Sequence, residues 1–246
     1  MHPMWGVAIA VGGILLMGLG LWAMMRLLRN QNSAAETDVE SRLAVEASRR
    51  GWVVDGNPKQ ALQLYNQACL QQYELPRRQS LRGPAKAISA TAVISGQHRG
   101  RFFVAGKFEV LTTDGRRTPD DRVWVMVPGY GGVLEMHRSD GLSATVNTAL
   151  GWNNFRTGNS DVDRKFEIVT TDQNFAQIFV NPAVVDYILA QGRSIDRVSM
   201  LGNQIFTGRY EGTYRDPDNL VRYLDMCCDI VDRVPETAWS GAARQY

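Results

Sequence analysis

The order of apolar and polar positions divides the chain into an apolar N-terminal run and a longer segment of mixed periodicity. Residues 5–25 carry no charged side chain, and Trp5 and Trp22 lie near the two ends of this run. A membrane-spanning helix needs about 20 apolar residues, so the run is long enough to cross a bilayer. Indole rings favour the lipid–water interface, which agrees with the two tryptophan positions. The pattern therefore predicts a transmembrane anchor over residues 1–30.

A cleaved signal peptide is the alternative interpretation of this run. Signal peptides begin with basic residues and continue into a shorter apolar core, whereas here Arg26 and Arg29 follow the apolar residues. Basic residues beside a span stay on the cytoplasmic side of the membrane. The sequence therefore predicts a single-pass protein of the cell membrane with its C-terminal domain in the cytoplasm.

After a polar linker over residues 31–37, helical periodicity begins. Val39, Leu43 and Ala47 recur at intervals of four residues, which predicts a helix that ends at Gly51. Other helices are predicted to begin where an Asn or Asp can cap the first turn, in three places with a Pro directly after it. These caps are Asp172, Asn57, Asn181 and Asp216.

Segments rich in β-branched and aromatic residues predict strands at 87–95, 101–112, 122–127, 132–137, 165–171, 195–201 and 204–210. The turn sequences Gly96–Gly100 and Gly202-Asn203 join neighbouring segments into hairpins. Hairpins grouped with helices favour an α+β domain of mainly antiparallel sheet packed with helices. We expect this single domain over residues 38–236, with a tail over 237–246. A pleckstrin-homology-like barrel with an inserted helix is the alternative.

Several motifs of the domain resemble a known family. They are Ala47–Trp52 (ASRRGW), Gly96–Phe103 (GQHRGRFF), Phe166–Ala176 (FEIVTTDQNFA), Asn181-Pro182 and Cys228–Trp239 (CDIVDRVPETAW). In these motifs the chain resembles a family of actinobacterial hypothetical membrane proteins that carry a domain of unknown function. The resemblance covers most of residues 40–240. It implies a membrane-associated domain, and it supplies no catalytic residues.

Composition and charge narrow the function classes. Charged residues make up 21% and apolar residues 44% of the chain, which is typical of globular proteins. The formal net charge of +2 is too small to indicate a dedicated nucleic-acid-binding protein. The cysteines Cys69, Cys227 and Cys228 lack the spacing of a metal site or a disulfide framework. They are interpreted as small packing residues in a reducing compartment.

The search for catalytic chemistry yields weak candidates. His98 and His137 are the histidines available as bases in the domain, and both are interpreted as surface residues. The glycine-rich segment Gly129–Gly132 lies between two predicted strands, whereas nucleotide-binding glycines lie between a strand and a helix. Thr171 and Asp172 end a predicted strand, but helix capping explains Asp172. We therefore predict a protein that is not an enzyme, with no catalytic residue, cofactor or metal.

A basic stretch is the remaining feature with functional content. No acidic residue occurs between Leu75 and Phe108, whereas residues 211–236 contain seven acidic residues. One interpretation is that Arg77, Arg78, Arg82 and Lys86 contact anionic lipid headgroups, at about 1 kcal/mol for each basic residue. The other is that the basic stretch pairs with the acidic segment within the molecule.

The sequence therefore predicts an uncharacterised, non-catalytic, membrane-tethered binding or interaction module. Its expected partners are membrane lipid, through residues 5–25, and a protein; no nucleic acid is expected. An accessory subunit of a membrane complex and an enzyme with an unrecognised site are the alternatives. A partner's identity and the oligomeric state do not follow from the sequence.

Overall fold

The computed structural model describes residues 37–75, 83–139, 155–192, 194–208 and 213–239. The helices in these ranges are α1 (residues 37–50), α2 (Pro58–Tyr73), α3 (Ser160–Lys165), α4 (Gln173–Phe179), α5 (Pro182–Ala190), α6 (Pro217–Arg233) and a 3₁₀ helix at Glu236–Trp239. The strands are β1 (Val53–Val54), β2 (Lys86–His98), β3 (Arg101–Leu111), β4 (Arg117–Met126), β5 (Val133–Arg138), β6 (Phe166–Thr170), β7 (Arg197–Leu201) and β8 (Gln204–Thr207).

The strands form one eight-stranded sheet with the order β1-β2-β3-β4-β8-β7-β5-β6. Every pair of neighbours is antiparallel. Within the described residues the sheet is open, with β1 and β6 at its two edges. The alternative of a pleckstrin-homology-like barrel is therefore wrong, because helices cover the sheet instead of the sheet closing on itself.

The predicted fold class needs a correction in its transmembrane part: the α+β domain of mainly antiparallel sheet agrees with the structure, whereas the transmembrane helix has no counterpart among the described residues. No helix among these residues combines the length and apolar character that a membrane span requires. The two longest that lie wholly inside the described ranges, α2 and α6, have 16 and 17 residues, and both carry polar residues along one face. A span needs about 20 apolar residues. The predicted anchor over residues 5–25 lies outside the described residues.

The sheet is buried on both faces, which divides the core into two clusters. Side chains alternate between the faces of a strand, so Phe103 and Ala105 pack with α1, α4, α5 and α6. Val104 and Phe108 of the same strand pack against α2 on the opposite face. The domain therefore has three layers, with the sheet in the middle.

Helix capping follows the sequence prediction. The side chains of Asn57, Asn181 and Asp216 each accept a backbone N–H bond from the first turn of the helix that they precede. In all three helices Pro occupies the first turn, where its missing N–H leaves no donor unpaired. These helix starts are confirmed.

The connection between β2 and β3 is shorter than predicted. His98 pairs with Arg101, so the turn consists of Arg99 and Gly100 instead of the five residues from Gly96 to Gly100. Both turn residues have a positive φ, of 50° and 76°. Two-residue turns of this kind match the right-handed twist of paired strands, which lets the strands continue to the turn.

A side chain of α2 protects the exposed edge of the sheet. β1 pairs with only two residues of β2, Ile94 and Ser95. Further along β2, the Ala87 N–H donates to Asn66 Oδ1 at 2.8 Å, and Asn66 Nδ2 donates to the Ala87 carbonyl at 3.2 Å. Unpaired N–H and C=O groups at a sheet edge can pair with a strand of another chain. Asn66 occupies two of these groups, those of Ala87.

The burial of α6 leads to a stability prediction. Leu224 of α6 is fully buried against the sheet, so Leu224→Ala should lower the free energy of unfolding by about 2–5 kcal/mol. Leu70→Ala on the outer side of α2, where the leucine is 57% exposed, should change it by less than about 0.5 kcal/mol. Urea unfolding of both variants measures the difference. Equal effects would contradict the packing of α6.

Candidate ligand-binding cleft

A cleft of about 560 Å³ opens at one end of the sheet. The β4–β5 loop, the end of β6, the start of α4 and the 3₁₀ helix meet there, and the C-terminal end of α2 completes the wall. We call it the Tyr130 cleft. Its described lining residues are Glu74, Tyr130, Gly131, Gly132, Val133, Thr171, Asp172, Gln173, Asn174, Phe175, Ile178, Thr237 and Ala238. The volume lies within the range of small-ligand sites.

The glycines of the β4–β5 loop allow it to pack directly on two aromatic residues. A Cβ atom on Gly132 would lie 2.7 Å from a ring carbon of Phe175, and one on Gly129 would lie 2.2 Å from the carbonyl oxygen of Trp239. Any larger residue would push the loop away from α4 and from the 3₁₀ helix. The glycine-rich segment therefore has a packing role that shapes one wall of the cleft.

The end of β6 is held by a local network. Thr170 Oγ1 donates to the Val133 carbonyl at 2.9 Å and accepts the Asp172 N–H at 3.0 Å. The Asp172 carboxylate accepts the Phe175 N–H at 3.0 Å, so Asp172 caps α4 as predicted. Thr171 lies between them, with its side chain exposed in the cleft.

The structure thus joins two features that the sequence presents separately. Thr171 and Asp172, the weak catalytic candidates, face the same cleft as the glycine-rich segment. The sequence did not predict Glu74 and Tyr130 as site residues, because each lines the cleft only when distant parts of the chain pack together. Tyr130 lies among glycines in a predicted turn. An aromatic residue at such a position is a sequence signal that could have pointed to a binding site.

The cleft has acidic and aromatic character. Two carboxylates, those of Glu74 and Asp172, line it, and none of its described lining residues is Lys, Arg or His. Tyr130 and Phe175 contribute aromatic rings, and Ile178 and Ala238 contribute apolar surface. Asp172 forms no ion pair with any described residue. Such a lining favours ligands that are positively charged or neutral.

The prediction that His98 is an exposed turn residue is wrong. Its side chain is buried, and Nε2 lies 2.8 Å from Asp225 Oδ1 of α6. The Trp52 ring packs edge-on at 6.5 Å between centroids. His137 is half-buried, with Nε2 3.0 Å from Glu167 Oε2 on the neighbouring strand. Both histidines therefore already have carboxylate partners inside the fold.

The three cysteines are free and buried, which confirms their interpretation as packing residues. Burial raises the pKa of the Cys69 thiol to about 11 and of the Cys227 thiol to about 12. Burial also raises the pKa of Cys228. At neutral pH these thiols are protonated, which makes them poor nucleophiles.

Part of the basic stretch pairs with α6. Arg99 contacts Asp229 at 2.8 Å and Asp232 at 2.5 Å, and Arg101 contacts Asp232 at 2.5 Å. For Arg99 and Arg101, pairing within the molecule is therefore the correct interpretation. We call this set of contacts the hairpin clasp, because it fastens the β2–β3 turn to α6.

Of the four residues predicted to contact lipid, the structure describes Lys86. Lys86 is exposed at the start of β2, while Arg77, Arg78 and Arg82 lie outside the described residues. Their contact with anionic lipid stays a prediction. Within the described ranges, no group of three or more His, Cys, Asp or Glu residues is arranged to hold a metal ion. The predicted lack of a metal or cofactor stays a prediction as well.

Comparison with known proteins adds a structural neighbour. No family model matches the chain, and no curated protein matches it. The chain is similar to the crystal structure of the mycobacterial trehalose monomycolate transport factor A, TtfA, at 10% sequence identity and a TM-score of 0.44. The likeness covers 80% of this chain and 96% of that chain. At this identity and TM-score, it establishes neither a shared fold nor a shared function.

The hairpin clasp leads to a salt-dependent prediction. Asp232→Asn removes the carboxylate that Arg99 and Arg101 share, and it should lower the free energy of unfolding by about 0.5–1 kcal/mol because these side chains are partly exposed. The loss should shrink in about 1 M salt. Asp161→Asn, which breaks an exposed pair with Arg164, serves as the control in urea unfolding. A loss no larger than that of the control would show that the clasp contributes no stability.

The buried thiols lead to a pH-dependent prediction. In the unfolded chain the thiol pKa is about 9.0, whereas Cys69 and Cys227 have raised pKa values in the folded state. Between these values the unfolded chain binds fewer protons, so the free energy of unfolding should fall as pH rises above about 9. Urea unfolding at about pH 8 and about pH 10 measures the fall. The double variant Cys69→Ala, Cys227→Ala should show a smaller fall; an equal one would contradict this assignment.

Proposed function

We propose that this domain is a non-catalytic binding module that holds an organic cation in the Tyr130 cleft. The observation that carries the proposal is the combination of a ligand-sized cleft, acidic side chains and aromatic rings. A guanidinium or ammonium group, such as that of an arginine or lysine side chain on a protein partner, has the matching chemistry.

The charge of the cleft supports a cationic ligand. The Asp172 carboxylate uses one hydrogen bond to cap α4, and a carboxylate has acceptor positions left for a second donor. Hydrogen bonds from a cation to a carboxylate are stronger than neutral ones. An anionic ligand would meet repulsion from Asp172 and Glu74.

The aromatic side chains support the same class of ligand. A cation over an aromatic face gains about 0.5–1 kcal/mol at an exposed site. Tyr130 is partly exposed in the cleft, and Phe175 lies in the wall behind the loop glycines. Ring and carboxylate together would select a cation over a neutral group of equal size.

The environments of the described cysteine and histidine side chains support binding without catalysis. The cysteine thiols are buried, and their pKa values are raised. His98 is engaged with Asp225, and His137 is engaged with Glu167. Each of these potential nucleophiles or bases thus has a structural role in the fold.

Calorimetric titration of the full chain tests the proposal. The probes are N-acetyl-arginine N-methylamide and tetramethylammonium, with N-acetyl-glutamate N-methylamide as the anionic control. Asp172→Asn removes the charge and keeps the helix cap, because Asn and Asp cap equally well. It should weaken binding of both cations by up to about fivefold, the equivalent of about 1 kcal/mol for an exposed charge pair.

The matched control is Asp216→Asn. Asp216 caps α6 in the same way, but it does not line the cleft, so this variant should bind both cations as the unmodified chain does. Binding of the anionic probe as tightly as the cations, or an unchanged affinity in Asp172→Asn, would reject the proposal.

A further inference from the structure

A buried carboxamide next to the cleft has no partner. The Gln71 side chain on α2 is 2% exposed, and neither its Nε2 nor its Oε1 atom makes a hydrogen bond. Buried polar groups in folded proteins are nearly always paired, and an unpaired one destabilises the fold. Gln71 also follows Ala68 by three residues on the apolar face of α2, where an apolar residue would fit the pattern.

The amide lies directly behind the wall of the Tyr130 cleft. A Cβ atom built on Gly202 would lie 2.3 Å from Gln71 Nε2 and 2.8 Å from a ring carbon of Tyr130. The Gln71 amide and the Tyr130 ring therefore both lie next to Gly202. The Gly131 N–H donates to the Gly202 carbonyl at 2.8 Å, so Gly202 is hydrogen-bonded to a residue of the cleft wall. Glu74, one turn after Gln71, lines the cleft as well.

We propose that Gln71 is the specificity-determining residue of the Tyr130 cleft and that the ligand is a peptide segment. This inference rests on the proposed function, because it concerns the same cleft. A carboxamide offers one acceptor and two donor hydrogens, so it pairs with the C=O and N–H groups of a peptide backbone. The ligand reaches Gln71 when the Tyr130 ring turns aside. A basic side chain of the same peptide then meets Asp172.

An unpaired amide is well suited to such discrimination. A site whose polar groups are satisfied by the ligand rejects analogues that lack the matching group, because they leave the site's own groups buried and unpaired. The cost of the unpaired amide in the free protein is then recovered on binding. Gln71 should therefore separate ligands of equal charge by whether they carry a peptide group.

Two probes with the same cation separate this inference from the proposed function. N-acetyl-arginine N-methylamide carries a guanidinium and two peptide groups, whereas methylguanidinium carries the guanidinium alone. In calorimetric titration of the full chain, we expect the first probe to bind at least about tenfold more tightly than the second, since a site with polar groups left unpaired discriminates strongly.

The variant Gln71→Met replaces the carboxamide by an unbranched apolar side chain of similar length. It should remove the preference for the peptide probe and leave methylguanidinium binding unchanged. It should also unfold at a higher urea concentration, because an unpaired buried amide is removed. Gln204→Met is the matched control: Gln204 is also buried and its Oε1 has no partner, but its Nε2 donates to the Leu64 carbonyl at 3.4 Å. That variant should keep the preference.

The outcomes are distinct. Equal binding of both probes to the unmodified chain would overturn the role of Gln71 and leave cation binding in place. A preference that persists in Gln71→Met would also overturn it, because another group of the cleft would then recognise the peptide. Failure of both probes to bind would reject the proposed function and this inference together. Equal binding of the two probes to the unmodified chain overturns the role of Gln71 even if the variant does not fold.

Discussion

Burial of both faces of the sheet is the constraint on which the other features of this domain depend. Because neighbouring positions of a strand face opposite cores, α2 must cover one face while α1, α4, α5 and α6 cover the other. A sheet covered on one side would leave either Phe103 or Phe108 in water. The packing of α2 brings its C-terminal end to the edge of the cleft, and the packing of α4 supplies the opposite wall.

The same constraint places polar groups in the interior. Glu135 of β5 lies on the α2 face and is buried. Its carboxylate accepts a hydrogen bond from Gln72 of α2, and Ser199 Oγ lies 3.5 Å away on the neighbouring strand. Burying a carboxylate is tolerated when hydrogen bonds replace those of water. The Gln71 side chain, beside Gln72, makes no hydrogen bond, and this contrast makes it a candidate for ligand recognition instead of a structural residue.

Charge is distributed in two different ways over the molecule. At the β2–β3 turn, basic residues meet the acidic face of α6, and their charges compensate each other. At the Tyr130 cleft, Asp172 has no described cationic partner, so the acidic character remains available to a ligand. A basic stretch in a sequence therefore does not identify a binding surface until its partners within the fold are known.

Local patterns in the sequence determined the ends and types of many elements. Asn57, Asn181 and Asp216 mark helix starts because an N-cap acts on residues two or three positions away. The Gly202-Asn203 turn and the alternating residues of β3 are equally local. The helical spacing along α6 predicted the face on which Leu224 is now buried.

Only the tertiary structure decided the strand order, the environment of His98 and the composition of the cleft. β8 follows β7 in the chain but lies between β7 and β4 in the sheet, and no local pattern encodes that neighbour. His98 is buried because Asp225, more than a hundred residues away, reaches it from α6. The cleft joins Glu74, Tyr130 and Asp172 for the same reason. Their proximity depends on how the layers pack, whereas the spacing of residues along the chain reports only contacts within one element.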